Sequence, residues 1–277
     1  MLFKSNSSKL IVLFLTFVLI FISPVNLSLI QADGLKKLDG VEVLVNNENE
    51  IRLKTEVDGL VGILVQDKST KELSLTTYKA SKVNPNLFFI NTSSHEEIKH
   101  YSLSLNDFTD SGAHITFQDL ETGQETTLNP DEITPRFVWV VPLVEVIGTK
   151  LIEALLLTAA VVAINEIEFA KTDSVVETLR NNNRYDHYYA KIMQGDVWIG
   201  PAISESVAVA RLVSFNGDKD VSGNDVWSRT MSKAALVAKK AGGGKEPVGP
   251  EIEGPGLGFG FYYHYHTWNR VGGHSFF

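Results

Sequence analysis

Cysteine is absent from the 277 residues, which excludes disulfide cross-links, thiolate zinc sites, CxxC redox chemistry and cysteine nucleophiles together. An excess of basic charge is lacking as well. Lys and Arg number 25 against 33 Asp and Glu, for a net charge of −8, so no uniformly basic coat for nucleic acid covers the chain. Gly and Pro number 21 and 9 and follow no repeat, which excludes collagen-like and low-complexity architectures. What is present is a hydrophobic content of 44%, enough to build one large domain or two small ones of roughly 100–200 residues each.

Residues 1–32 read as a secretory signal. Lys4 and Lys9 precede the apolar run Leu10–Ile22, interrupted only by Thr16 and closed by Ser23-Pro24, and Ala32 offers a cleavage point. These 13 residues fall short of the roughly 20 that span a bilayer as a helix. An uncleaved anchor is the alternative, because apolar residues resume from Val25 to Ile30. The expected location is therefore secreted or cell-surface, with signal peptidase as a processing partner.

From residue 33 to 135 the pattern predicts an antiparallel β carrier domain. Val41–Val45, Leu60–Val65, Tyr101–Leu105 and His114–Phe117 alternate or carry β-branched residues. Turn signals separate them at Asn46–Asn49, Asn84-Pro85-Asn86, Asp110-Ser111-Gly112 and Glu121-Thr122-Gly123. His95 and His100 are expected in or beside a solvated loop or helix start around Ser93–Glu97. Residues 136–170 form a second hydrophobic segment, expected to be helical and buried. Pro142, Glu145, Lys150 and Glu153 make it a poor ordinary span, since a charge at the bilayer centre costs about 2.5–3.5 kcal/mol. The alternative is transient membrane contact through 137–164.

Charge divides near residue 180: residues 33–179 hold 12 Lys and Arg against 24 Asp and Glu, whereas residues 180–277 hold 11 against 9. A C-terminal module is expected over 171–277, making the whole chain α+β. Residues Asp186–Ile199 predict a hairpin around Gln194-Gly195. Ser204 is placed to cap a helix over 205–212. A further helix is expected over about 230–241, ended by Gly242-Gly243-Gly244.

The last 36 residues contain 10 of the 21 glycines and three of the seven histidines. Strand alternation in Tyr262–Thr267 puts His264 and His266 on one face, and Tyr263 and Tyr265 on the other. If the returning segment His274–Phe277 pairs so that partner numbers sum to 540, His266 faces His274 and Arg270 stands at the hairpin tip. An odd sum would put His274 on the opposite face.

Three readings fit such a cluster. Imidazoles titrating near neutrality can act as general base and acid while Arg270 stabilises a phosphoryl transition state; RNA suits this chemistry because its 2′-hydroxyl is an internal nucleophile, and no metal is then needed. Three His residues are also an acceptable zinc ligand set with an open position, the weaker of the two chemical readings. Third, the aromatic and His side chains could simply cover a sheet. Lys239, Lys245, Tyr263 and Tyr265 are candidate substrate contacts, although helix-terminal lysines often serve only the helix dipole. His187 beside Asp186 is a lesser candidate imidazole. Gly242–Lys245 lacks the spacing of a Walker A loop and is followed by Glu246, and Gly254–Gly260 does not fit a dinucleotide fingerprint.

The ending is distinctive: Asp225-Val226-Trp227-Ser228, the Ala-rich stretch Lys233–Lys240, Gly242–Glu251, Tyr262-Tyr263-His264-Tyr265-His266, Asn269-Arg270 and Gly272-Gly273-His274. Over about residues 183–277 it resembles a toxin-tip module of the secreted polymorphic toxins of Gram-positive bacteria, and the rest resembles their carriers in layout. The resemblance implies use against competing cells, a cognate immunity protein and often nuclease activity; it does not identify the substrate. Metal-independent cleavage of nucleic acid, RNA rather than DNA, with His264, His266, His274 and Arg270 as catalytic residues, is the expectation drawn from residue chemistry. A membrane-active toxin working through 137–164 and a non-enzymatic surface-binding protein are the alternatives.

Overall fold

Alternating apolar and polar side chains send one face of a strand into a core and leave the other in water. The computed structural model describes residues 40–80, 98–109, 111–132, 142–213, 224–252 and 262–277, and its first part follows this rule. Strands β1 (Val41–Asn46), β2 (Glu50–Val57), β3 (Leu60–Asp67), β4 (Leu73–Lys79), β5 (Lys99–Thr109), β6 (Gly112–Asp119) and β7 (Glu125–Leu128) form one sheet in chain order. Each is antiparallel to the next. In β2, Ile51, Leu53 and Thr55 are buried while Arg52 and Lys54 are partly open. Asp58 and Gly59, with φ of 49° and 77°, close the β2–β3 hairpin in two residues, a turn whose twist matches that of the strands.

The leader, Asn84-Pro85-Asn86, and Ser93–Glu97 with His95 lie outside the described residues. His100, expected in a loop or helix start, is instead on β5. Alternation of Tyr101, Leu103 and Leu105 with polar neighbours extends the strand back to Lys99, and His100 Nδ1 stands 3.1 Å from Thr76 Oγ1 on β4.

Helix α1 (Leu143–Thr158) buries Ile147, Leu151 and Leu155, four residues apart, together with Ile152 and Leu156, and packs across the β sheet. Two glycines permit the approach: a Cβ on Gly62 would collide with Ile147 Cγ2, and one on Gly148 with the Phe117 ring. The helix occupies less of the hydrophobic segment than expected. From Val161 the β-branched residues form strands β8 (Val161–Ile164) and β9 (Ile167–Lys171). Asn165 and Glu166, at φ of 47° and 64°, make the two-residue turn between them. Among the described residues no helix is long and apolar enough to cross a membrane; residues 137–141 of that segment are not among them.

The remaining elements are α2 (Thr172–Asn181), β10 (His187–Met193), β11 (Asp196–Ile203), α3 (Glu205–Val213), β12 (Val226–Ser228), α4 (Met231–Ala241), β13 (Val248–Glu251), β14 (His264–His266) and β15 (Ser275–Phe276). They complete an eight-stranded sheet ordered β13-β14-β15-β12-β10-β11-β9-β8, in which β12 and β15 run parallel. Among the described residues the chain is thus mixed α+β with two sheets. The expected hairpin is present, with Met193 paired to Asp196 across Gln194-Gly195. So are both helices: Ser204 Oγ accepts from Val207 N at 3.3 Å and Thr230 Oγ1 from Lys233 N at 3.3 Å. Gly243 and Gly244, at φ of 69° and 87°, donate back to the Lys240 and Lys239 carbonyls at 3.1 and 2.8 Å. That pair of bonds is a Schellman ending.

The two sheets share a core. Phe169, Met193 and Trp198 of the second sheet belong to the same buried cluster as α1 and the first sheet, and Lys191 Nζ on β10 reaches Asp107 Oδ1 on β5 at 2.6 Å.

Candidate active site

Strand β14 is three residues long, and alternation sends its two histidines to one face and Tyr265 to the other. Its pairing with β15 matches His264 to Phe276 and Tyr265 to Ser275, the register whose partner numbers sum to 540. The chain returns through Thr267–His274, a loop held by Thr267 Oγ1 donating to the Val271 carbonyl at 2.8 Å, with Arg270 at φ of 58°. Gly272 and Gly273 have a steric task here. A Cβ on the first would collide with the Leu212 carbonyl, and one on the second would lie 2.6 Å from the Asn224 carbonyl oxygen. Only glycine lets the loop pass between the end of α3 and the start of β12, and this passage delivers His274 to Asp225.

The three imidazoles converge. Ring centroids are 4.9 Å apart for His264–His266, 4.9 Å for His264–His274 and 4.7 Å for His266–His274. One nitrogen from each lies within 4.8 Å of the others. His264 and His266 are 3% and 7% exposed; the His274 side chain, at 26%, forms the open side of the cluster.

Each ring is positioned by something different. His274 Nδ1 is 2.8 Å from Asp225 Oδ1, which also accepts from the His274 backbone N–H at 2.7 Å. His264 Nδ1 lies 3.2 Å from the Tyr262 carbonyl. Carboxylate and carbonyl oxygens only accept, so both histidines carry a proton on Nδ1 and, when neutral, a lone pair on Nε2. His266 Nε2 lies 3.1 Å from Glu251 Oε1, near enough for an ion pair, but the atoms are not aligned for a hydrogen bond, and both ring nitrogens are buried without one. Burial, reinforced by the neighbouring His274 and His264, pulls the His266 pKa down to about 4, against a smaller opposing effect of Glu251.

Arg270, expected to face phosphate, forms a two-pronged pair with Glu251, Nη1–Oε1 at 2.7 Å and Nη2–Oε2 at 2.8 Å. Its guanidinium holds the Glu251 carboxyl below the ordinary range. Arg270 is therefore joined to the cluster through Glu251, whose Oε1 is also 4.0 Å from His264 Nε2.

The candidate substrate contacts fall elsewhere. Tyr263 and Tyr265 stack on Phe277 with centroids 6.0 and 5.9 Å apart. Lys239 pairs with Glu246; Lys239 and Tyr265 line a cleft of about 360 Å³ with Ser232, Pro247 and Gly249, on the Tyr265 side of β14, away from the imidazoles. Lys245 Nζ stands 3.5 Å over the Trp268 ring, a cation–π arrangement. His187 is not part of the cluster: it is buried, with Nδ1 3.0 Å from Ser228 Oγ. Gly254–Gly260 lies outside the described residues.

Two residues of the site carry no role in the sequence reading, Asp225 and Glu251. Asp225 did have a local signal. It is a carboxylate next to the apolar pair Val226-Trp227, and a charge bordering a buried strand needs a partner. Glu251 has none, because its place depends on the pairing of β13 with β14.

Comparison with protein-family models, curated proteins and solved structures finds no match to this chain.

Proposed function

We propose that the chain is a secreted antibacterial toxin and that the cluster of His264, His266 and His274 cleaves nucleic acid, RNA in the first place. The observation that supports this reading best is the convergence of three imidazoles from two strands beside the Arg270–Glu251 pair. Concentrated imidazole chemistry suits phosphodiesters because the attacking hydroxyl must lose a proton and the leaving oxygen must gain one. The 2′-hydroxyl of RNA places the nucleophile next to the phosphorus, which removes the entropic cost of bringing in water. In a proton-only scheme the imidazoles exchange protons with the attacking hydroxyl and the leaving oxygen, and His274, the most open of the three and oriented by Asp225, is the ring placed to meet substrate. A cognate immunity protein in the producing cell is the partner that such an activity requires.

The test is growth of a bacterium induced to make residues 38–277, the unit that holds the described packing, in its cytoplasm. A His266→Ala/His274→Ala variant is grown beside it. Arrest with fragmented RNA in the first culture and normal growth in the second is expected, with the variant verified as folded and expressed. Equal arrest in both cultures would remove the cluster from the mechanism.

A further inference from the structure

We infer that His264, His266 and His274 are the protein ligands of a single divalent transition-metal ion of the zinc class. As a statement about mechanism this rests on the reading of the cluster as the working site and takes the place of the proton-only scheme, since a ligating nitrogen has no free lone pair; as a statement about ligands it stands on the geometry alone.

Three observations carry it. The first is convergence, since the contributing nitrogens lie within 4.8 Å of one another. Tetrahedral zinc with Zn–N of about 2.0–2.1 Å needs about 3.3 Å between ligand atoms, so the rings would close by at most about 1.5 Å on binding.

The second is the outer arrangement. His274 gives its Nδ1 proton to a buried carboxylate at 2.8 Å and His264 gives its own to a backbone carbonyl at 3.2 Å. A metal-binding imidazole ordinarily donates its second N–H to such a group, which fixes the tautomer and makes the ligating nitrogen more basic.

The third is His266. It is more than nine-tenths buried, and neither ring nitrogen makes a hydrogen bond. A buried polar atom left without one costs about 1–3 kcal/mol, and a cation at the centre of the cluster answers that need.

The donor set selects the metal. Three imidazoles without thiolate suit Zn²⁺, Co²⁺, Ni²⁺ or Cu²⁺, whereas Mg²⁺ and Ca²⁺ prefer oxygen. Three protein ligands leave a fourth position for water or a phosphate oxygen. The 26% exposure of His274 provides the approach, and Glu251, clamped by Arg270 with Oε1 3.1 Å from His266 Nε2, would be the carboxylate beside a bound water.

The experiment uses residues 38–277, freed of metal and titrated with Co²⁺ and then Zn²⁺. The expected result is one Co²⁺ per chain, with the strong visible absorption of four-coordinate cobalt, displaced by Zn²⁺ but not by Mg²⁺. His266→Ala abolishes the absorption, and Asp225→Asn weakens Zn²⁺ binding by about 10–100-fold. His114→Gln, which alters the separate His114–Asp131 pair at 2.9 Å, leaves binding unchanged.

Should the His266 variant not fold, the wild-type chain still decides. A ligand held only by the native state raises its melting temperature, so Zn²⁺ raises it and a chelator reverses the rise. A natively folded chain that takes up neither ion overturns the inference, as does uptake that persists when all three histidines are Gln. The two proposals fail separately. Stoichiometric metal binding by a chain that harms no cell leaves the metal site standing without the toxin reading, and His-dependent arrest by a chain that binds no metal does the reverse.

Discussion

His187 and His266 are both imidazoles removed from water, and they differ in what surrounds them. His187 is 2% exposed, with Ser228 Oγ at 3.0 Å and Asp186, Glu205, Lys233 and Lys240 around it. Burial lowers its pKa from 6.5, the two carboxylates pull it back up, and the two lysines lower it further. A base with a folded-state pKa below its unfolded value adds stability that is complete above the unfolded pKa and is lost as pH falls through the folded one. Stability should therefore hold down to about pH 6.5 and decline below it, where the unfolded chain takes up a proton that the folded chain resists. Thermal melts at pH 7.5 and 5.0 check this. The melting temperature falls toward acid, and His187→Gln shows a smaller fall than the wild type, each kcal/mol corresponding to about 2–4 °C in a chain of this size. An unchanged pH dependence in the variant would mean that His187 protonates as readily in the folded chain as in the unfolded one.

Among the elements, α1 shows how glycine can serve packing rather than turning. Gly62→Ala adds a methyl group that collides with Ile147 Cγ2, a branched side chain with little freedom to move aside. Overpacking of this kind costs about 1–3 kcal/mol, a melting temperature lower by several degrees. Gly59→Asn is the contrast. Nothing lies within 4 Å of a Cβ there, and Asn tolerates left-handed backbone, so its melting temperature should stay close to wild type; equal losses in the two variants would remove the steric account. This difference also marks what the sequence makes legible. Strands such as His114–Phe117, the Gln194-Gly195 hairpin and the triple-glycine helix ending carry their signals within a few residues. The β8–β9 hairpin was hidden by composition, because Val161–Ile164 continues an apolar run without a break and the turn Asn165-Glu166 lacks glycine. In the site, period-two alternation put His264 and His266 on one face, whereas His274 joined them only under one of the two registers the sequence left open, the one that β14 and β15 adopt. Glu251 depends on the pairing of β13 with β14, and no local pattern reports that.

At the scale of the molecule, the second sheet is not closed by the residues that carry the histidines. Strand β11 pairs on its outer side with β9, Trp198 opposite Lys171 and Ile199 opposite Ala170, and β9 in turn pairs with β8. Trp198 is fully buried in the cluster that also contains α1 and the first sheet. Lys191 is buried against Asp107 on β5. A chain starting at residue 171 would leave β11 with a bare edge, expose Trp198 and Met193, and remove the carboxylate that pairs with Lys191. Such a chain is expected to aggregate or to melt without cooperativity, whereas residues 38–277 should unfold in a cooperative transition. Circular dichroism melts of the two chains decide it. Should residues 171–277 instead melt cooperatively with native strand content, the histidine cluster would be an autonomous tip that proteolysis could release intact. If they do not, a cut at residue 171 leaves an active tip only while the pieces stay associated, and the elements before residue 171 are then part of what holds the imidazoles in place.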